Sequence, residues 1–194
     1  KVGGAFNFWF NTASSAGTIW VDKAGVSTPA SIVSGSPTVT VASTADLVVG
    51  RVVVGTGIPL GATVAVIVSP TQFTLSKNAT TTSATAGLAF GTLSSPYRTI
   101  AAALSAVGPS TRIIRILGNT GNDASTLDDK PYLIGSALSG SALADGATFN
   151  VPQGVTVMID EGAALKLRAA IVNVGSSSGL VSRAGAALQV LGTP

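Results

Sequence analysis

The stretch that decides the predicted fold occurs twice near the C-terminal end of the chain. Residues 162–167 read GAALKL and residues 185–190 read GAALQV, which gives a spacing of 23 residues (185 − 162). A period of about 20 to 30 residues in strand-like sequence with glycines between strands is typical of a solenoid, in which each coil covers its neighbour. The repeat predicts stacked coils and indicates no chemistry of its own.

The sequence around the repeat reads as a succession of short strands separated by glycines. Alternation of apolar and polar residues within each of them predicts one apolar face, the expected inner wall of a coil. The predicted strands are residues 147–151, 155–159, 164–167, 170–174, 180–182 and 187–190.

A single helix is predicted before these strands. Apolar residues recur at helical spacing from Ile100 to Val107, and the Gly-Pro pair at 108–109 is a stop signal. Pro96 lies near the predicted start, and the serines at 94–95 are candidate N-cap residues.

This region resembles the opening of a known superfamily. A strand at 19–22, the phrase SPYRTI at 95–100 followed by an Ala/Leu helix, and a buried strand at 112–117 are similar to right-handed parallel β-helix proteins of the pectate-lyase-like superfamily. The resemblance covers residues 18–22 and 92–194. It implies an all-β fold, namely a short right-handed parallel β-helix with one N-terminal capping helix.

The chain departs from that superfamily between the first strand and the helix, where the superfamily has a short polar turn. The phrases TVTV (38–41), GTGIP (55–59) and TQFTLS (71–76) resemble a small β module of phage and bacterial surface proteins. We therefore predict an inserted small antiparallel β domain. The predicted organisation is an N-terminal aromatic arm at 1–17, a β-helix domain formed by 18–25 and 91–194, and the inserted domain at 26–90.

Composition excludes several classes of function. Charged residues make up 10% of the chain, against roughly 25% in an average soluble domain. Cysteine and histidine are absent, which argues against a disulfide framework, a zinc site and a His-dependent triad. The chain has 11 Lys and Arg residues and 8 acidic residues, and the basic residues are spread along the sequence. Nucleic-acid binding is therefore not expected.

The same composition also indicates where the protein is located. The charge-free stretch at 52–76 is broken by Gly and Pro and rich in Val and Thr, so no membrane span is expected. Charge-poor sequence rich in Ser, Thr and Gly is common in exported bacterial surface and phage structural proteins. We expect an extracellular, cell-surface or virion location and, because the chain begins at Lys1, a processed or excised product.

No catalytic residue and no cofactor are predicted. The adjacent acidic residues at 128–129 and 160–161 point to opposite faces if they lie on strands, so neither pair forms an acid/base couple. The oxygen-rich loop at 118–129 has two interpretations, a plain solvated loop or a Ca²⁺ site, since Ca²⁺ takes six to eight oxygen ligands. The candidate calcium ligands are Asp123, Asp128 and Asp129.

Two surfaces are candidates for contacts between subunits. Alternating aromatic residues in the first ten positions predict an extended arm with three rings on one face, which either closes its own core or packs on a neighbour. The chain stops at 192–194 just after a repeat, so we expect it to continue naturally or another chain to cover its last coil. The predicted contact residues are Phe6, Phe8, Trp9, Phe10, Leu188 and Val190.

These observations predict a non-enzymatic extracellular structural protein. It would be a homo-oligomer or filament subunit in a surface appendage, sheath, layer or fibre assembled by subunit stacking. Two alternatives stay open. One is a carbohydrate-binding or carbohydrate-degrading β-helix module of a surface or phage tailspike protein, with a glycan as partner; the other is a fragment of a larger adhesin.

Overall fold

The structure is a computed structural model that describes residues 17–118, 131–175 and 185–191. The described chain is mostly β, with fourteen strands and one short helix, so the expected all-β class is confirmed. In chain order the elements are β1 (Thr18–Val21), β2 (Thr28–Ile32), β3 (Thr38–Val41), β4 (Val54–Gly55), β5 (Val64–Ser69), β6 (Gln72–Leu75), β7 (Ser83–Ala89), α1 (Ile100–Ser105), β8 (Ile113–Ile116), β9 (Tyr132–Gly135), β10 (Thr148–Val151), β11 (Thr156–Ile159), β12 (Leu165–Arg168), β13 (Ile171–Val174) and β14 (Ala187–Val190).

Four strands from distant parts of the chain form one parallel sheet in the order β1-β8-β11-β14. Ile19, Ile114 and Val157 align across the first three strands and are fully buried, and Leu188 continues the row on β14. Trp20 points to the other face of β1 and is partly exposed. Because side chains alternate along a strand, one face of the sheet packs on the core while the other meets solvent.

Two further sheets are parallel pairs, β9 with β12 and β10 with β13. The strands β8, β9 and β10 therefore lie in three different sheets, and β11, β12 and β13 pair with them in the same order. β14 then returns to the first sheet beside β11.

The repeated phrase of the sequence does not stack on itself. Its first copy contributes to β12, which pairs with β9, and its second copy contributes to β14, which pairs with β11. A 23-residue offset does separate Thr148 from its partner Ile171 (171 − 148). The offset from β11 to β14 is instead 31 residues (187 − 156), and that from β8 to β11 is 43 (156 − 113). The two copies of the phrase therefore lie in different sheets, and the offset between paired strands is not constant.

The remaining six strands form an antiparallel sheet in the order β4-β7-β2-β3-β6-β5. This sheet has its own core, in which the rings of Phe73 and Phe90 meet edge to face with centroids 5.8 Å apart. A separate core underlies the parallel sheets and includes Tyr97, Tyr132 and Phe149. The chain thus buries two apolar clusters.

The helix differs from its prediction in length and in its cap. It has six residues, and the side chain of Thr99, not a serine at 94–95, accepts the capping hydrogen bond, from the Ala102 amide at 3.2 Å. Ser95 instead donates its hydroxyl proton to the Leu88 carbonyl oxygen of β7, at 3.0 Å. The expected cap is therefore wrong, and this serine joins the segment before the helix to the antiparallel sheet.

Candidate functional site

One end of the parallel region is open among the described residues. Along one aligned row of the four-stranded sheet, the exposed fraction rises from 0% at Val21 and Ile116 to 7% at Ile159 and 73% at Val190. The register that places the first three residues in the core places Val190 on the same inner face. No strand within the described ranges pairs with the outer edge of β14. Val190 thus occupies a position of the inner face that no other described residue buries.

The two other parallel pairs end in the same way. Ile134 is fully buried while its partner Leu167 is 55% exposed, and Phe149 is 1% exposed while its partner Val172 is 40% exposed. We call the surface formed by Leu167, Val172, Leu188 and Val190 the open end. Two predicted contact residues, Leu188 and Val190, lie there, and Leu188 is partly buried against the core.

The opposite edge of the four-stranded sheet is covered. The Trp20 amide donates to the Gly91 carbonyl oxygen at 2.9 Å, and the Tyr97 amide donates to the Trp20 carbonyl oxygen at 3.0 Å. Gly91 has φ +66°, and a Cβ on it would lie 2.4 Å from the Tyr97 ring, so this position needs a glycine. We call this covered edge, with the residues that hold it, the closed end.

Two buried polar side chains join the closed end to the antiparallel sheet. The Tyr97 hydroxyl donates to the Val52 carbonyl oxygen at 2.7 Å, and a guanidinium nitrogen of Arg51 donates to the Thr18 carbonyl oxygen at 3.0 Å. Burial raises the pKa of Tyr97 and lowers that of Arg51 from their ordinary values, because each charged form is disfavoured away from water. These bonds hold β1 against the antiparallel sheet.

A second polar cluster at the closed end is centred on Asp145, which is fully buried. Its carboxylate accepts hydrogen bonds from the Lys23 ammonium, from the Leu133 amide at 2.6 Å and from the Ile100 amide at 3.4 Å. The Lys23 ammonium also lies 4.9 Å from the centre of the Tyr132 ring. Burial is the main cause that raises the pKa of Tyr132. The cluster ties the turn after β1 to the start of α1 and to β9.

A cavity of about 570 Å³ lies beside the closed end, where β1 meets the antiparallel sheet. The Asp46 carboxylate on its wall accepts a hydrogen bond from the Ser94 hydroxyl at 2.9 Å, and that hydroxyl lies 3.2 Å from the Thr92 hydroxyl. The described residues that line the cavity come from three separate segments: Trp20, Ala45, Asp46, Val48, Thr92, Leu93 and Ser94.

The indole of Trp20 is held in place on its strand. The Arg115 guanidinium carbon lies 4.9 Å from the centre of the indole ring. Arg115 is itself fixed by two hydrogen bonds to the Asp160 carboxylate, at 2.6 and 3.2 Å. Such bidentate pairs have restricted geometry. Asp160 is therefore part of an ion pair, whereas its neighbour Glu161 is exposed.

Several predicted site residues lie outside the described residues. These include the calcium candidates Asp123, Asp128 and Asp129 and the arm residues Phe6, Phe8, Trp9 and Phe10. Within the described ranges, no group of three His, Cys, Asp or Glu residues is placed to hold a metal ion.

Sequence reasoning missed Asp145 and the cavity. The Asp145-Gly146 pair has the sequence of an exposed turn, so nothing marked this carboxylate as buried. The cavity joins residues more than 70 positions apart, from Trp20 to Leu93, which no local pattern brings together.

Comparison of the chain with protein-family models, curated proteins and solved structures finds no match. In the part of the chain that the structure describes, no helix combines the length and the apolar character needed to cross a bilayer.

Proposed function

We propose that this chain is a non-enzymatic, extracellular structural protein that assembles by subunit stacking into an appendage, sheath, layer or fibre. In this proposal the three parallel sheets form a short right-handed parallel β-helix similar to the pectate-lyase-like superfamily. α1 caps that β-helix, and the antiparallel sheet is an inserted domain. Successive strands of the chain belong in turn to three different parallel sheets, and this order supports the interpretation.

The observation that carries the proposal is the rise in exposure along the aligned rows that end at Leu167, Val172 and Val190. Full burial of a Val or Leu side chain contributes about 1.5–3 kcal/mol. A surface with three such positions around an unpaired strand edge is a template for association. Contact with another copy of the chain would bury the open end.

The covered edge of β1 limits how copies can stack. Gly91 and Tyr97 occupy that edge, so a neighbouring copy does not add its own β1 to β14. We propose that the aromatic residues that precede β1 in the neighbouring copy contact the open end beside the outer edge of β14. The contact joins two different surfaces, and repeated contacts of this heterologous kind form open filaments unless they close into a ring.

A charged substitution at the open end tests the assembly. We expect the purified chain to form oligomers or filaments in light scattering and negative-stain microscopy, and Val190→Lys to shift it toward the 19.1 kDa monomer. Leu60→Lys is the matched control, because Leu60 is 91% exposed and lies between β4 and β5 of the antiparallel sheet, outside the surface that forms the open end. A wild-type chain that stays monomeric at every concentration contradicts the proposal.

The absence of cysteine allows a direct test of the arm. Phe8→Cys and Gln189→Cys chains are mixed and oxidised, and we expect a disulfide-linked dimer between the two variants. Phe8→Cys mixed with Leu60→Cys is the control, because Leu60 is an exposed residue between β4 and β5, and it should give no enrichment of the mixed dimer. Equal cross-linking in both mixtures would show that the arm does not select β14.

A further inference from the structure

We infer that the cavity beside Trp20 is a binding site for a neutral pyranose sugar. The inference does not rest on the proposed assembly, because the cavity lies beside the closed end of the parallel region. Its volume of about 570 Å³ falls within the range of about 300–1,000 Å³ that is usual for small-ligand sites.

The cavity has an apolar side and a polar side, and a pyranose ring needs both. Trp20, Val48 and Leu93 supply an apolar surface, and Leu93 is 62% exposed. A pyranose ring has an apolar face of C–H groups that packs on such a surface, and hydroxyls around its rim that need hydrogen-bond partners. An aromatic side chain with an apolar body suits the first requirement.

The polar side of the cavity suits the hydroxyls. The Asp46 carboxylate has acceptor capacity beyond the single bond from Ser94, since an ionised carboxylate offers about four lone-pair sites. Ser94 and Thr92 add hydroxyls that both donate and accept. Their mutual hydrogen bonds position these groups before a ligand arrives, which lowers the entropic cost of binding.

The charges around the cavity favour a neutral ligand. Among the described residues that line the cavity there is no Lys or Arg, and an anionic ligand would meet the Asp46 carboxylate. A cationic ligand on the Trp20 indole would be repelled by the Arg115 guanidinium, whose central carbon lies 4.9 Å from the centre of that ring. A neutral polyhydroxylated ring meets neither obstacle.

Fluorescence of Trp20 gives a direct test. The chain has two tryptophans, so Trp9→Phe leaves Trp20 as its single tryptophan, and fluorescence is excited where tyrosine does not absorb. Glucose, galactose, mannose and N-acetylglucosamine, each as monosaccharide and trisaccharide, are titrated separately into this variant and the result is checked by calorimetry. We expect at least one saturable change with Kd of about 1 mM or below.

Two variants locate the binding. Leu93→Ala and Asp46→Asn in the Trp9→Phe chain should each weaken the sugar at least about fivefold, which corresponds to the loss of one modest contact. Leu138→Ala is the matched control, an exposed leucine away from the cavity, and should leave Kd unchanged. These variants keep Trp20, whose removal could disturb β1.

Three results would overturn the inference. One is no saturable change with any of the sugars. A second is sugar binding that neither Leu93→Ala nor Asp46→Asn weakens, which would place the sugar elsewhere. The third is binding of the neutral apolar dye N-phenyl-1-naphthylamine that Leu93→Ala weakens and that no sugar displaces, which would show a cavity for apolar ligands.

Discussion

The two ends of the parallel region are built from similar four-residue strands and finish in opposite ways. At the closed end, backbone groups of Gly91 and Tyr97 bond to β1. At the open end, no described residue bonds to the outer edge of β14, and Val190 is mostly exposed. The strands of the sheet therefore do not themselves determine whether its edge is covered or exposed. Irregular segments with buried polar side chains close one end, and the strand pattern alone leaves the other open.

The largest expected effect comes from breaking the polar cluster of the closed end. Asp145→Ala removes the acceptor of three hydrogen bonds and leaves Lys23 largely buried without its carboxylate partner. We expect the free energy of unfolding to fall by about 3–5 kcal/mol in urea denaturation. Asp46→Ala is the control, an exposed carboxylate, and should cost less than about 1 kcal/mol. Similar losses of unfolding free energy in the two variants would show that the cluster around Asp145 does not stabilise the closed end more than an exposed carboxylate does.

A second test compares two valines in the same aligned row. Val21→Ala leaves a void in the core of the closed end and should cost about 2 kcal/mol in the free energy of unfolding. Val190→Ala changes an exposed residue and should cost less than about 0.5 kcal/mol when the chain is diluted to the monomer. An equal cost at both positions would mean that the open end is buried even in the monomer.

The smallest expected effect appears only in alkaline solution. Both tyrosines of the chain lie at the closed end, and burial raises the pKa of each above the usual value of about 10. The unfolded chain loses these protons first. The contribution of the two tyrosines to stability is therefore constant below pH about 10 and falls above it, by up to about 1.4 kcal/mol per pH unit for each tyrosine.

Phenylalanine variants assign this pH dependence. Tyr97→Phe and Tyr132→Phe should each reduce the slope of unfolding free energy against pH above about 10, measured by urea denaturation at successive pH values. A slope that neither variant changes would trace the alkaline loss to groups away from the closed end.

Some elements could be predicted from sequence because local alternation is strong in them. β11, β13 and β14 carry Val, Ile or Leu at alternate positions and were predicted within one residue of their observed bounds. The all-β class followed from the same pattern. The phrases TVTV and TQFTLS likewise coincide with β3 and β6.

Other elements gave no such signal. β2, β7 and β9 were not predicted. β2 contains Pro29, which disfavours a central strand, and β7 is rich in small residues with Gly87 inside it. Both form because neighbouring strands pair with them across long sequence distances.

The candidate site was predictable only in part. Leu188 and Val190 followed from the strand pattern, since a last strand in a stack has one unpaired edge. The carboxylates of Asp145 and Asp46 could not be assigned, because their partners Lys23 and Ser94 are 122 and 48 residues away in sequence. Burial of a polar residue depends on such distant partners.

The separation of β1 from its partner sets an order of events during synthesis. Thr18 pairs with Ile113, 95 residues later (113 − 18), whereas all strands of the antiparallel sheet lie between residues 28 and 89. A chain emerging from the ribosome can therefore complete the antiparallel sheet while β1 still lacks its neighbour. Since contacts distant in sequence form slowly, we expect the first strand in sequence to be among the last to dock.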